Sequence, residues 1–347
     1  MEFEKENMKV KRFIRPCVTA IIVIGLQLSL LYSQQVKLAQ TGFNFLSISS
    51  DARAGALGDA VNSFSGYAGA LSHNPASMAD IPNLLTVNAS VNSFIADIKY
   101  LSVNTIVSPL SGNYGVLGIS FQYVDYGDVL GTMVWNNSKG YIDTGVMDPK
   151  ALAFGVGYAK MISDRFSVGA HVKFAYQSLG ESAIPVGNAM TTKRNVANTL
   201  AFDFGTNFKT GIKSLAFGMS VRNFSRQVTY EQEEFELPLL FTIGLSANVL
   251  DFFNIPPSQQ ALLISCDATH PRSHPEQLKI GGEYQFMKLL ALRAGYITGE
   301  DEDGLTFGVG VTSSGLNISS ANFAVDYAYT PYGVFGHIQK FTVSFSM

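Results

Sequence analysis

The sequence predicts an all-β protein, a 14-stranded antiparallel transmembrane β-barrel with an N-terminal plug. Three observations predict it. From about residue 84 to the end, runs of roughly eight to fourteen residues alternate apolar and polar side chains, each closed by a turn. Charged residues make only 15% of the chain, well below the usual quarter or so, while hydrophobic residues make 47%. Ahead of this repeat lies a segment of small residues that can pack only inside something larger. Mean hydropathy is only +0.16, and no segment after the N-terminal run offers the roughly 20 unbroken apolar residues of a membrane helix. Such a composition fits a barrel whose polar lumen face dilutes its lipid face. The net charge of −3, without a basic stripe, argues against nucleic acid as a partner.

Residues 1–33 read as a secretory signal peptide. Lys9, Lys11, Arg12 and Arg15 precede an apolar run from Val18 to Leu31, and Ser33 offers a small residue for cleavage. Met8 makes a more ordinary basic start than Met1, which is followed by Glu2 and Glu4. The run is short of a full span, which argues against a retained anchor. Cys17 leaves with the signal, so Cys266 stands alone and sheet closure rather than a disulfide holds the mature fold.

Residues 34–80 form the expected plug. From Phe43 to Met78 the segment is rich in Ala, Gly and Ser and shows neither sustained strand alternation nor a long apolar helix face. Its candidate site residues, structural or gating, are Asp51, Arg53, Gly55, Gly58, Asp59, Asn74 and Pro75. Gly55 and Gly58 permit close packing or positive φ, and Asn74-Pro75 signals a turn or helix boundary. Arg53 between Asp51 and Asp59 suggests an ion pair, read either as a latch that opens a path or as a static staple.

Residues 81–347 form the barrel. In 165–177, Phe166, Val168, Ala170, Val172, Phe174 and Tyr176 alternate with Ser167, Gly169, His171, Lys173, Ala175 and Gln177, and period two fixes this as strand. The same division recurs at Leu117, Ile119 and Phe121, at Leu200, Phe202 and Phe204, at Leu278 and Ile280, at Phe307 and Val309, and at Phe323, Val325 and Tyr327. The polar sides are mostly Gly, Ala, Ser, Thr and Asn, whereas a water-exposed sheet carries more Lys and Glu. The apolar side is therefore assigned to lipid and the small-residue side to a lumen around the plug. Asp203 and Glu283 are expected to join Lys173, Lys209, Arg222, Lys279 and Arg293 in a lumen network touching the plug. Tyr123, Tyr126, Tyr296, Tyr327, Tyr329 and Tyr332 gather near strand ends, where an interfacial girdle lies.

The strands are expected at 84–94, 99–109, 113–125, 150–162, 165–179, 198–209, 213–224, 237–250, 260–268, 276–287, 289–298, 303–313, 320–330 and 338–347, an even number as closure of a bacterial barrel requires. With the N-terminus starting in the periplasm, the outer connections include 126–149, 180–197 and 225–236, which are long. The periplasmic ones, such as 110–112, 163–164 and 210–212, are short, with 251–259 and 314–319 the main exceptions.

No enzyme signature, cofactor fingerprint or metal site emerges, and the protein is not expected to be an enzyme. His270 and His274 sit four apart, but Pro271 and Pro275 break the helix that a metal pair needs. Glu300-Asp301-Glu302-Asp303-Gly304 reads as a solvated acidic turn.

The run Phe45-Leu46-Ser47-Ile48-Ser49-Ser50-Asp51-Ala52-Arg53-Ala54-Gly55-Ala56-Leu57-Gly58-Asp59-Ala60, followed by Asn74-Pro75-Ala76, resembles the start of PorV/PorQ-type outer-membrane proteins, which share the wider fold group of the FadL transporters. The resemblance is closer to the PorV side. It implies a fourteen-stranded barrel with an N-terminal hatch in the cell outer membrane, serving type IX secretion by receiving cargo proteins from the translocon and presenting them to attachment machinery. The implied partners are outer-membrane lipid, the translocon and cargo. The alternative reading is a FadL-like channel for hydrophobic small molecules. Periodicity does not choose between them.

Overall fold

A computed structural model describes residues 41–347 apart from 187–188, 231–232, 254–255, 257–258, 300–303 and 317–320. The expected signal peptide, the first part of the expected plug (34–40) and all of the acidic turn but Gly304 lie outside the described residues.

The period-two runs form the fourteen strands of a closed antiparallel barrel among the described residues. They are β1 Leu85–Ser93, β2 Lys99–Val107, β3 Val116–Asp125, β4 Lys150–Ser163, β5 Phe166–Val186, β6 Ala189–Lys209, β7 Ala216–Phe224, β8 Leu240–Asn248, β9 Gln260–Pro271, β10 Gln277–Phe286, β11 Leu290–Ile297, β12 Leu305–Thr312, β13 Asn322–Pro331 and β14 His337–Ser346. Each pairs with its sequence neighbours, and β14 closes onto β1 with Val87 opposite Phe345 and Val91 opposite Phe341.

The two faces of the wall are those of a protein turned inside out. Leu117, Ile119, Phe154, Phe174, Phe204, Leu292, Phe307 and Phe341 are exposed, whereas Asn88, Asn104, His171, Asp203, Ser265, Glu283 and Thr342 are buried. An outward band this apolar would associate in water and is stable in hydrocarbon, where sheet closure satisfies every backbone group. Two of the expected girdle residues depart from it. Tyr126 turns inward onto a buried cluster with Phe43, Phe45 and Val124, and Tyr332 stands beside Phe94 and Phe335.

The connections differ from expectation at the long-loop end. Of the residues expected as a loop at 180–197, those at 180–186 and 189–197 are strand, because β5 and β6 run 21 residues each. A membrane strand needs only about 9–11 residues, so the pair continues past the barrel as an arm of roughly 30 Å at about 3.3 Å per residue. Both faces of the arm meet water, which removes the alternation that marked the wall. The register shifts between Ser178 and Glu181, where Gly180 takes φ 88°. Residues 126–149, also expected as a loop, contain a ribbon of Val129–Val134 paired with Tyr141–Met147. Strand β9 reaches Pro271, so His270 lies on a strand rather than in a loop and pairs with Glu276. No group of three metal-ligating side chains occurs among the described residues.

Residues 41–83 fill the lumen. They form 3-10 turns at Asn44–Ser47, Ala68–Ser72 and Pro75–Asp80, and one short helix, α1, at Ala52–Ala56. The described chain does not start on the short-turn side, as expected, but beside the long loops, where Gly42 N–H donates to the Glu236 carbonyl (3.1 Å). It then descends the lumen, and β1 starts at the short-turn end. The long connections still share one end of the barrel and the short ones the other, because that depends on where β1 begins.

Candidate functional site in the barrel lumen

The site is built where the lumen segment meets the wall. At the long-loop end it is sealed by apolar contact. Phe43 stacks on Phe235 and Phe235 on Tyr230, over Tyr100, Val124, Ala151 and Leu237.

Below this cap, one side of the segment is held by hydrogen bonds. Asn74 caps the turn Pro75–Asp80 through Ala76 N–H, and its amide donates to the carbonyls of Asn62 (2.8 Å) and Thr206 (3.0 Å). Pro75 occupies the first turn position, where no N–H is required. Asn62 N–H donates to Asp267 (2.8 Å), Ser220 donates to Asn62 (2.6 Å), and Lys209 pairs with Asp80 (2.7 Å). Wall glycines permit this approach. A Cβ on Gly205 would strike the Asn74 amide, and one on Gly169 the Pro75 backbone.

The other side is held by charge. Asp51 caps α1, accepting from Arg53 N–H and Ala54 N–H, and Ala52 N–H donates to Thr342 on β14 (2.8 Å). Arg53 does not pair with Asp51 or Asp59. It makes two bonds to Glu283 on β10, Nε to Oε2 at 2.9 Å and Nη2 to Oε1 at 2.8 Å, while Phe64 and Tyr67 lie against its guanidinium. Glu283 also accepts from Arg293 on β11 (2.5 Å), and Arg293 donates to Asp326 on β13 (2.7 Å). Burial opposes the charge on Arg53, yet Glu283 holds its pKa above the ordinary value. Gly55 lies against the Lys340 side chain. Gly58 and Asp59 both take left-handed φ (63° and 57°), turning the chain out of α1. Burial raises the Asp59 pKa, but Lys340, Lys279, His73 and Arg222 bring it down to about 2.

One network here escaped sequence reading, and a second was read only in part. His73, buried and bonded to Ser49 (3.2 Å), is pushed down to about 3 by burial and by Arg222. On the wall, Ser120 contacts His171 Nε2 (2.9 Å), His171 Nδ1 contacts Asp203 (3.0 Å), and Lys173 pairs with the same carboxylate (2.8 Å). The order Ser–His–Asp is that of a nucleophile relay. The cavity beside it is about 40 Å³, room for a water or two, so the arrangement ties β3, β5 and β6 together. The pairing of Lys173 with Asp203 fits the lumen network expected from the sequence, whereas Ser120 and His171 were not expected in it.

Helix α1 divides the remaining lumen. A cavity of about 360 Å³ lies on its long-loop side and one of about 260 Å³ on its short-turn side. Two smaller cavities, of about 20 and 40 Å³, lie elsewhere in the lumen.

Residues 32–230, more than half of the chain, match the family model described as type IX secretion system protein PorV. The chain belongs to this PorV family. It is an outer-membrane β-barrel of the type IX secretion group. Among solved structures, the Pseudomonas putida toluene transporter TodX is similar at TM-score 0.59 and 13% identity, covering 90% of this chain and 99% of TodX. The Ralstonia pickettii toluene transporter TbuX gives 0.56 and 13%, covering 88% and 98%. A Pseudomonas aeruginosa FadL homologue gives 0.53 and 12%, covering 86% and 98%. At these identities the likeness is one of fold. No functionally curated protein matches the sequence.

Proposed function

We propose that this barrel receives secreted proteins at its long-loop end, on the β5–β6 arm and the 129–147 ribbon, and carries them as a component of type IX secretion. The observation that carries the reading is the PorV family match, which spans the lumen segment and both long hairpins. Two structural features support it. The arm rises well beyond what membrane crossing needs. The lumen is filled by its own chain, so transport through the barrel is blocked while its outer surface stays free to dock a protein.

The second reading, a channel for hydrophobic small molecules, is favoured by the fold it shares with toluene transporters. The character of the inner wall weighs against it. A route for hydrocarbon needs apolar lining, and this lumen presents Ser, Thr, Asn and ion pairs.

Deletion of the gene separates the two. Secreted proteins stranded in the periplasm, with hydrocarbon uptake intact, support docking; impaired uptake with normal secretion supports the channel. Recovery of translocon and cargo with the barrel from detergent-solubilised outer membranes is the matching biochemical expectation.

A further inference from the structure

The cavity of about 360 Å³ on the long-loop side of α1 carries an excess of positive charge. Among the described residues, and His274 at its rim aside, its lining holds three cations, Arg222, Lys279 and Lys340, against one carboxylate, Asp59. Two further carboxylates of the lumen are engaged elsewhere. Asp267 belongs to a smaller cavity, where one oxygen accepts from Asn62 N–H (2.8 Å) and the other is shut in by packing. Asp203 pairs with Lys173 (2.8 Å).

Lys340 supplies an independent sign of a ligand. It turns inward from β14 with only 8% of its surface exposed, lies against Gly55 of α1, and makes no hydrogen bond or ion pair among the described residues. Its ammonium is not among the atoms that packing shuts off, so it stays open to the cavity. Arg222 is only partly engaged. Its Nη1 donates to the Ser72 carbonyl (2.5 Å), while Nε and Nη2 make no bond and are likewise left open. Folded proteins seldom leave a buried charge without a partner, because its desolvation is then uncompensated. An anion in the cavity supplies what both side chains lack.

We propose that this cavity binds a phosphate monoester. A carboxylate brings one negative charge, whereas a phosphoryl group brings nearly two and three strong acceptor oxygens, which matches the excess in the lining and suits Lys and Arg as donors. The remaining walls include Ile48, Phe94, Leu240, Ile297, Tyr332 and Ile338, so the carrier of the phosphate is largely apolar. The volume lies at the lower end of the range of about 300–1,000 Å³ typical of small-molecule sites. It holds one short chain or ring, and of a two-chain lipid it takes only the head group. The rim lies at the long-loop end, the outer side of such barrels, so the ligand enters from outside. This site does not rest on the secretion reading, and either can fail alone.

The test uses the full barrel in a non-ionic detergent and a buffer free of phosphate and sulfate, titrated by calorimetry with hexyl phosphate, dihexanoyl phosphatidate, hexanoate and hexanol. Saturable binding of a phosphate ester is expected, about tenfold or more tighter than hexanoate. Hexyl phosphate bound alone assigns the site to a soluble ester, and phosphatidate bound as well or instead assigns it to the phosphate of a lipid head group; either supports the site. Lys340→Gln should weaken binding at least about tenfold, the lower end for a hydrogen bond to a charged group, and Lys340→Arg should keep most of it. Absence of saturable binding of both phosphate esters by the parent barrel overturns the proposal. So does hexanoate or hexanol bound as tightly, or an affinity unchanged in a folded Lys340→Gln barrel.

Discussion

The two sides of the lumen segment are held by different forces. Against β4–β8 its backbone lies on wall glycines, and Asn62 and Asn74 are locked by short neutral or charge-assisted hydrogen bonds. Against β10–β14 the backbone at Leu57 and Gly58 also meets wall glycines, Gly281 and Gly295, but α1 itself is held by Arg53 on Glu283 and by Ala52 N–H on Thr342, with cavity above and below it. Close packing has no partial state, because a side chain too large for the gap must move the backbone. Ion pairs flanked by space can be exchanged for water. The first side is the anchor of the segment, and opening of the barrel is expected on the second.

Arg53→Ala should have the largest effect. Removing one partner of a buried pair costs on the order of 3–5 kcal/mol, and the lower end applies because Arg293 still neutralises Glu283. The barrel should remain heat-modifiable but leak small solutes in liposome assays. Gly205→Val should cost about 1–3 kcal/mol by overpacking and lower the folded yield without leakage from the barrels that do fold. If the two phenotypes are exchanged, anchor and gate have been assigned to the wrong sides. Asn74→Ala removes a cap worth about 1 kcal/mol together with two bonds to carbonyls, and should raise hydrogen exchange in 62–80 before any change near Arg53.

A pH series sharpens the same comparison. The folded His73 value of about 3 lies below the ordinary 6.5, so between them the unfolded segment binds more protons and stability rises with pH. The contribution is whole above about 6.5 and is lost as pH falls toward 3. Exchange protection of 60–80, corrected for intrinsic rates, should fall across that window, and His73→Asn should flatten the slope. Asp59 adds a smaller loss only below its ordinary 3.8, as pH approaches 2.

The wall was legible in the sequence because lipid and lumen impose opposite demands on successive residues. Its strands at 99–107, 150–163 and 290–297 lie within two residues of where alternation put them. The arm was not legible, since the successive residues Thr192, Lys193 and Arg194 all stand in water, so both faces are wet and the pattern is erased. Of the lumen site, Arg53 and Asn74 stood out by composition, but their partners are separated from them by 230 and 132 residues. Nothing local marks Glu283 as the acceptor, and the nearer Asp51 and Asp59 drew the pairing wrongly. Asp51 is occupied by the helix cap, and the chain turns Asp59 away from Arg53 toward Lys340 and Lys279.

The most direct test of docking at the long-loop end is to shorten the arm. Residues 182–195 are replaced by a two-residue turn, leaving the wall and the lumen segment intact, and the outer-membrane and periplasmic fractions are probed for secreted proteins. A folded, heat-modifiable barrel in the outer membrane, with cargo retained in the periplasm, is the expected result. Normal secretion from cells carrying that shortened barrel would contradict it.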